Sequence, residues 1–170
     1  LEGTAILARE KEEELVGRFP ARFLRAAREQ ERYLSVEREA AIALKSSVYA
    51  MHDVRNGGVF GALWEVSQKL GVGLSIDLKK IPVKQETIEI CEFFNLSPYE
   101  ILSGGALLMV TPEGNRLVRE LGEAGISSAV IGSINEGNDK LIINGEETRY
   151  LGPPGPDEIY KTIFIEERVQ

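Results

Sequence analysis

The chain has 170 residues, with 43% apolar and 28% charged side chains and a formal net charge of −7. That is globular composition, and it excludes wholesale disorder and fibrous classes. One cysteine, Cys91, and one histidine, His52, exclude a disulfide framework and any multi-cysteine or two-histidine metal site within the chain.

No apolar stretch approaches the roughly 20 residues that span a bilayer. The first 47 residues balance nine Lys/Arg against nine Asp/Glu, so the negative charge sits in the remainder. An acidic body opposes phosphate contacts, so no nucleic acid is expected as a partner. The sequence opens at Leu1 without a signal peptide and reads as a piece of a longer cytoplasmic polypeptide.

Residues 1–8 carry a short apolar run, Ala5-Ile6-Leu7, that reads as a junction strand. Residues 9–47 read as helical: a charged stretch over Arg9–Val16, a helix opened by Pro20, and another capped by Ser35. From residue 48 the pattern changes to an α+β core that runs to residue 151. Val48–Val54 is a strand. Gly57-Gly58 breaks it. Val59, Phe60, Leu63, Trp64, Val66 and Leu70 then mark a buried helix that Gly71 ends.

Leu74–Leu78 alternates as a half-buried strand. Thr87–Phe94 is helical, and Ser97-Pro98 starts another short helix. Ala106–Val110 is an apolar strand, and Thr111-Pro112-Glu113 opens a helix. Ala129–Ile134 and Lys140–Ile143 read as a hairpin around Glu136-Gly137-Asn138. Asn144-Gly145 is a turn signal leading to Thr148–Leu151. Residues 152–170 form a Gly/Pro connector and a final helix, capped by Asp157, with Ile159, Tyr160, Ile163 and Phe164 inward. The order predicts a mixed β-sheet covered by helices.

The most informative stretch runs from His52 to Gly58. A strand ends at Asp53, two glycines allow close approach, and a helix begins, so free N–H groups there suit an anion. Asn56 would cap the helix and Arg55 would reach a phosphate. Asp53 would hold Mg²⁺ through oxygen. A tight turn with Asp53 bonded to local backbone explains the same residues equally well. Ser103-Gly104-Gly105 is a second glycine turn: either a loop with positive φ, or a partner of the first turn across one cleft. His52 is a general acid–base candidate or a structural histidine. Cys91, Phe60 and Trp64 read as core.

Met51-His52-Asp53-Val54-x-x-Gly57-Gly58-Val59, followed by Gly71-Val72-Gly73-Leu74-x-Ile76, resembles the carboxy-terminal domain of the aminoimidazole ribonucleotide (AIR) synthetase superfamily. Within it the sequence is most similar to the hydrogenase maturation carbamoyl dehydratase branch and AIR synthase-related proteins. Ile81-Pro82-Val83, the run Leu96 to Gly105, Ala129-Val130-Ile131-Gly132 and the opening Gly3 to Glu10 extend the resemblance over residues 3–151.

The resemblance implies a partly ferredoxin-like fold. It implies the second half of a two-domain ATP-dependent enzyme with ATP and Mg²⁺ as cofactors. Its partners would be an amino-terminal ATP-binding domain of the same chain and a second copy, dimerised through that domain. Asp53, Gly57 and Gly58 carry over as cleft-facing positions. Asp53 is the catalytic and metal candidate, Arg55, Asn56, Gly57 and Gly58 would bind cofactor, and His52, Ser103, Gly104 and Gly105 would line the substrate cleft.

The maturation branch has Asn-Glu-Gly where this chain has Ser103-Gly104-Gly105, and a terminal cysteine where this chain ends Glu167-Arg168-Val169-Gln170. The alternative is a non-catalytic nucleotide-sensing or protein-interaction module of the same fold.

Overall fold

A computed structural model of the chain describes residues 1–163. Phe164 and the closing residues named above lie outside the described residues.

Four helices come first: α1 (Glu2–Glu10), α2 (Glu12–Val16), α3 (Ala21–Arg28) and α4 (Glu37–Ala43), with a 3₁₀ turn over Glu29–Tyr33 between the last two. The expected junction strand is therefore a helix. Thr4, Leu7 and Ala8 lie at i, i+3 and i+4 and are all fully buried, which is helical spacing and not a two-residue alternation. Pro20 is the N-cap of α3, with extended backbone, one position ahead of the first turn expected for it. The Ser35 hydroxyl accepts only a long 3.5 Å bond from the Glu37 N–H ahead of α4.

Strands and helices then alternate: β1 (Ala50–Val54), α5 (Gly58–Leu70), β2 (Gly73–Asp77), α6 (Gln85–Phe93), β3 (Ala106–Val110) and α7 (Gly114–Glu123). Three strands follow, β4 (Gly132–Asn135), β5 (Lys140–Asn144) and β6 (Glu147–Tyr150), and then the short helix α8 (Tyr160–Ile163). The class is α+β, as expected. The sheet is not single: β1 and β3 form a two-stranded antiparallel ribbon, and the other four strands form a mixed sheet ordered β4-β2-β5-β6.

The expected β4–β5 hairpin does not form. Strand β2 lies between them, antiparallel to β4 and parallel to β5. Only β5–β6 is a hairpin, turning at Gly145 with φ +66°, one residue beyond the expected start. Ser97-Pro98 starts no helix. Residues 99–101 run as irregular chain against α5, and the Tyr99 carbonyl accepts the Phe60 N–H at 3.1 Å.

Three apolar clusters hold these layers. The first packs α1, α2, α3 and α6 through Leu7, Leu15, Leu24, Ala27, Ile90 and Cys91, with Ile101 and Ile159 added. The second seats Phe60 and Leu63 of α5 on Leu74, Ile76 and Ile142 of the mixed sheet. The third joins Ala43 of α4 to Leu117 and Leu121 of α7. Trp64 points away from the second cluster. It is half-buried, with the Lys140 ammonium 4.8 Å from its ring centroid.

Candidate functional site

Strand register brings the two glycine turns to one place. Val54, the last residue of β1, pairs with Ala106, the first of β3, so residues 55–58 and 103–105 leave the same end of the ribbon.

The first turn is tightly built. Gly57 (φ +79°) and Gly58 (φ +61°) both have left-handed backbone, where a side chain is strained. A Cβ on Gly58 would fall 2.5 Å from the Tyr99 carbonyl oxygen and 2.8 Å from that of Ile101, so α5 starts in direct backbone contact with residues 99–101. Asn56 does not cap α5. Gly57 holds that position, with no side-chain cap.

The N–H groups expected to await an anion are largely taken. The Gly57 N–H donates to Asp157 Oδ2 at 2.7 Å, the Gly58 N–H to the Arg55 carbonyl at 3.0 Å, and the Phe60 N–H to the Tyr99 carbonyl. Asp157 is only 4% exposed and is the internal anion of this corner. Its Oδ1 also accepts from the N–H groups of Leu102 (3.1 Å) and Ile159 (3.0 Å). The cap expected at Asp157 is thus present, and the same carboxylate ties the strap over 152–157 to both glycine turns.

The open face lies on the other side of this turn. His52, Asp53, Arg55, Asn56, Ala62 and Glu65 line a hollow of about 370 Å³. Arg55 Nε donates to Asp53 Oδ2 at 2.6 Å. That hydrogen bond, and then the Asp53 charge, hold the exposed Arg55 guanidinium above its ordinary value. Asp53 therefore bonds a side chain, not the local backbone.

His52 is half-buried with both ring nitrogens facing acceptors: Nδ1 lies 2.7 Å from the Asp53 carbonyl and Nε2 lies 2.7 Å from Glu65 Oε2. Glu65 was absent from the sequence-derived candidates. It follows Gly58 and Ala62 along the α5 stripe that looks back at β1, and an acid on that stripe is the signal that marks it.

The second turn contributes less to the open face. The Ser103 hydroxyl donates to the Ile101 carbonyl at 2.7 Å. Gly105 (φ +91°) lies under the Tyr33 carbonyl, and Gly104 lies against the Glu2 side chain. Neither lines the 370 Å³ hollow, so the two turns share a ribbon end without sharing a hollow.

Among the described residues no group of three His, Cys, Asp or Glu gathers as a metal site. Asp53 offers one carboxylate oxygen set, which fits a Mg²⁺ completed by phosphate oxygens and by groups from elsewhere. Cys91 is fully buried, and burial pushes its thiol up to about 12, which leaves it inert as a nucleophile.

Residues 1–144 match the family model described as AIR synthase related protein, C-terminal domain. The chain belongs to this family. One relative is the carbamoyl dehydratase HypE of Rhodobacter capsulatus, 27% identical over 111 residues, 65% of this chain and 30% of that protein. The solved Escherichia coli HypE superposes with a TM-score of 0.65 at 21% identity, covering 72% of this chain and 40% of that one. A structure of AaThiL complexed with AMPPCP and TMP gives 0.60 at 19% identity, covering 91% and 48%. The chain thus spans less than half the length of each. As in the family description, it is the carboxy-terminal domain of this fold. No helix among the described residues is long and apolar enough to cross a membrane.

Proposed function

We propose that this AIR synthase-related domain is the second half of a two-domain ATP-dependent enzyme, and that its hollow at the end of β1 faces a Mg·ATP and substrate cleft shared with an amino-terminal ATP-binding domain. The observation that carries the reading is the convergence of His52, Asp53, Arg55 and Glu65 on one open hollow, next to a glycine turn whose backbone is already satisfied. The likeness to a protein solved with AMPPCP and TMP supports a nucleotide as the ligand class.

The roles divide by chemistry. Asp53 supplies oxygen to Mg²⁺, and Arg55 supplies a cation for a phosphate or developing oxyanion. His52, oriented by Glu65, is the acid–base group at the hollow. Gly57 and Gly58 act indirectly: they let α5 start against residues 99–101, which fixes where β1 ends. The substrate is one whose oxygen or nitrogen is activated at the expense of ATP.

The test uses this chain alone and a polypeptide in which it follows an ATP-binding domain. ATP turnover is expected from the longer polypeptide only. Asp53→Asn in it is expected to lower kcat/KM by roughly 10²-fold with an unchanged melting temperature. Turnover by the isolated chain at a comparable rate overturns the shared cleft.

A further inference from the structure

We propose that the aromatic seam between α3 and α6 is an interface for a second copy of this chain, which docks on it about a two-fold axis. The pairing needs no amino-terminal domain and does not rest on the shared-cleft reading.

Four of the six phenylalanines of the chain meet at this seam. Phe19 stacks on Phe23 with ring centroids 4.8 Å apart, and it meets the Phe93 ring edge-on at 5.9 Å. Phe93 also meets Phe94 edge-on, at 4.8 Å. Phe19, Phe23 and Phe94 are half-buried against the first core, which accounts for them. Phe93 is 41% exposed and lies outside that core. A lone exposed ring is ordinary, but one continuous with three others marks a patch that folding leaves in water.

Helical spacing gives the seam two charged ridges of opposite sign. On α3, Arg22 and Arg25 stand at i and i+3, beyond Phe23. Both are exposed, and among the described residues neither guanidinium has a hydrogen bond or an ion pair. Arg28, in the last turn of the same helix, is paired with Glu12 of α2. On α6, Glu89 and Glu92 stand at i and i+3, and Phe93 follows Glu89 by four residues, which puts the two side by side. Glu92 is exposed and has no partner among the described residues, while Glu89 accepts from the Gln85 amide at 2.7 Å. Among the described residues no ion pair joins the two ridges within the chain.

This arrangement is its own complement. A two-fold axis near Phe93 lays the Glu89–Glu92 ridge of the second copy on the Arg22–Arg25 ridge of the first, and the reverse, with the two Phe93 rings meeting between them. An apolar centre inside a charged rim is the usual anatomy of a protein interface. A uniformly acidic partner would set like charge against the α6 ridge, and a nucleic-acid backbone would do the same. A second copy satisfies both ridges at once.

The deciding experiment is sedimentation equilibrium of the chain and of charge-reversed variants, each first checked for an unchanged circular dichroism spectrum and melting temperature. The chain is expected to pass from the mass of one copy toward that of two as its concentration rises through roughly the micromolar-to-millimolar range. Arg22→Glu/Arg25→Glu and Glu89→Arg/Glu92→Arg are each expected to weaken association at least about tenfold. Mixed in equal amounts, these two variants are expected to recover it, because each then meets a ridge of opposite sign on both sides. Phe93→Ser, which alters no charge, is expected to weaken association at least about tenfold as well.

A chain that stays monomeric into the millimolar range overturns the proposal. Association undiminished in both charge-reversed variants overturns it by placing the contact elsewhere, and so does failure of the two folded variants to associate when mixed. If the full chain is monomeric while a chain ended at Ile163 dimerises, the seam belongs to residues 164–170 and the proposal falls. Should a double variant not fold, Arg22→Glu and Glu92→Arg carry the same exchange. None of these outcomes depends on ATP turnover, so the shared cleft stands or falls separately.

Discussion

The two glycine turns sit at the same end of the β1–β3 ribbon, but different forces hold them. At residues 55–58 the glycines answer to backbone: left-handed φ, two carbonyls in contact range, and an N–H bound to the buried Asp157. At residues 103–105 only Gly105 has that need. Gly104 answers to a side chain from another element, Glu2. The first turn is therefore architecture and the second is partly an accommodation. A glycine pair in a sequence does not say which.

The comparison breaks most visibly at Asp157. It is buried, and its two oxygens accept three backbone N–H groups from three segments, 55–58, 99–103 and the start of α8. Asp157→Ala leaves those donors in a buried corner with no acceptor. Each buried unsatisfied donor costs about 1–3 kcal/mol, so the variant is expected to lose about 3 kcal/mol or more in urea denaturation. Asp157→Asn keeps one acceptor oxygen and is expected to lose less. A loss under about 1 kcal/mol in Asp157→Ala would mean that the strap is not what joins the turns.

The second effect sharpens the contrast between the glycines. Gly58→Ala imposes a left-handed conformation on an L-residue and drives a methyl into the Tyr99 and Ile101 carbonyls. Strain of about 1–2 kcal/mol and overpacking of about 1–3 kcal/mol are both expected, and no side-chain truncation nearby relieves them. Gly104→Ala is expected to cost less, and the cost is expected to vanish in a Glu2→Ala background. Thermal unfolding of the three single variants and of each glycine variant combined with Glu2→Ala forms two coupling cycles. Equal coupling to Glu2 at both glycines would erase the distinction.

The sequence made the local features of this site readable and hid the distant ones. The end of β1, the α5 start, the Gly71 stop and β3 came from short-range periodicity and glycine placement. Asp157 was legible as a cap for the residues just after it, because that hydrogen bond spans two positions. Its bond to Gly57 spans 100 positions and has no local signature. The same reason defeats the β4–β5 hairpin: the true partner of both strands, β2, lies more than 50 residues upstream. Residues 2–10 misled differently. Ala5-Ile6-Leu7 is too short to separate strand from helix by period, and Gly3 lowers helix propensity while being required for docking. The role of Glu65 exists only once α5 folds back onto β1.

The smallest effect lies far from both turns and tests the third core, where electrostatics and not glycine joins the elements. Glu120 on α7 accepts the Ser46 hydroxyl at 2.7 Å and Arg116 Nε at 2.9 Å. The Ser46 hydrogen bond first, and then that of Arg116, hold the Glu120 carboxyl below its ordinary value of 4.5. A depressed carboxylate adds stability that is fully present above its unfolded value and is lost as pH falls through its lower folded value. Acidification below 4.5 is therefore expected to remove the Glu120 contribution, with little change between there and neutrality. Ser46→Ala removes the leading cause, so its melting temperature should fall slightly below that of the unaltered chain at pH 7, and the two should converge in acid, once pH falls below the lowered value of Glu120. Because the pair is solvent-facing, high salt should mute the Arg116 part and leave the Ser46 hydrogen bond. A Ser46→Ala deficit that persists undiminished in acid would tie the junction of α4 and α7 to packing of Ala43 against Leu117 and Leu121 alone.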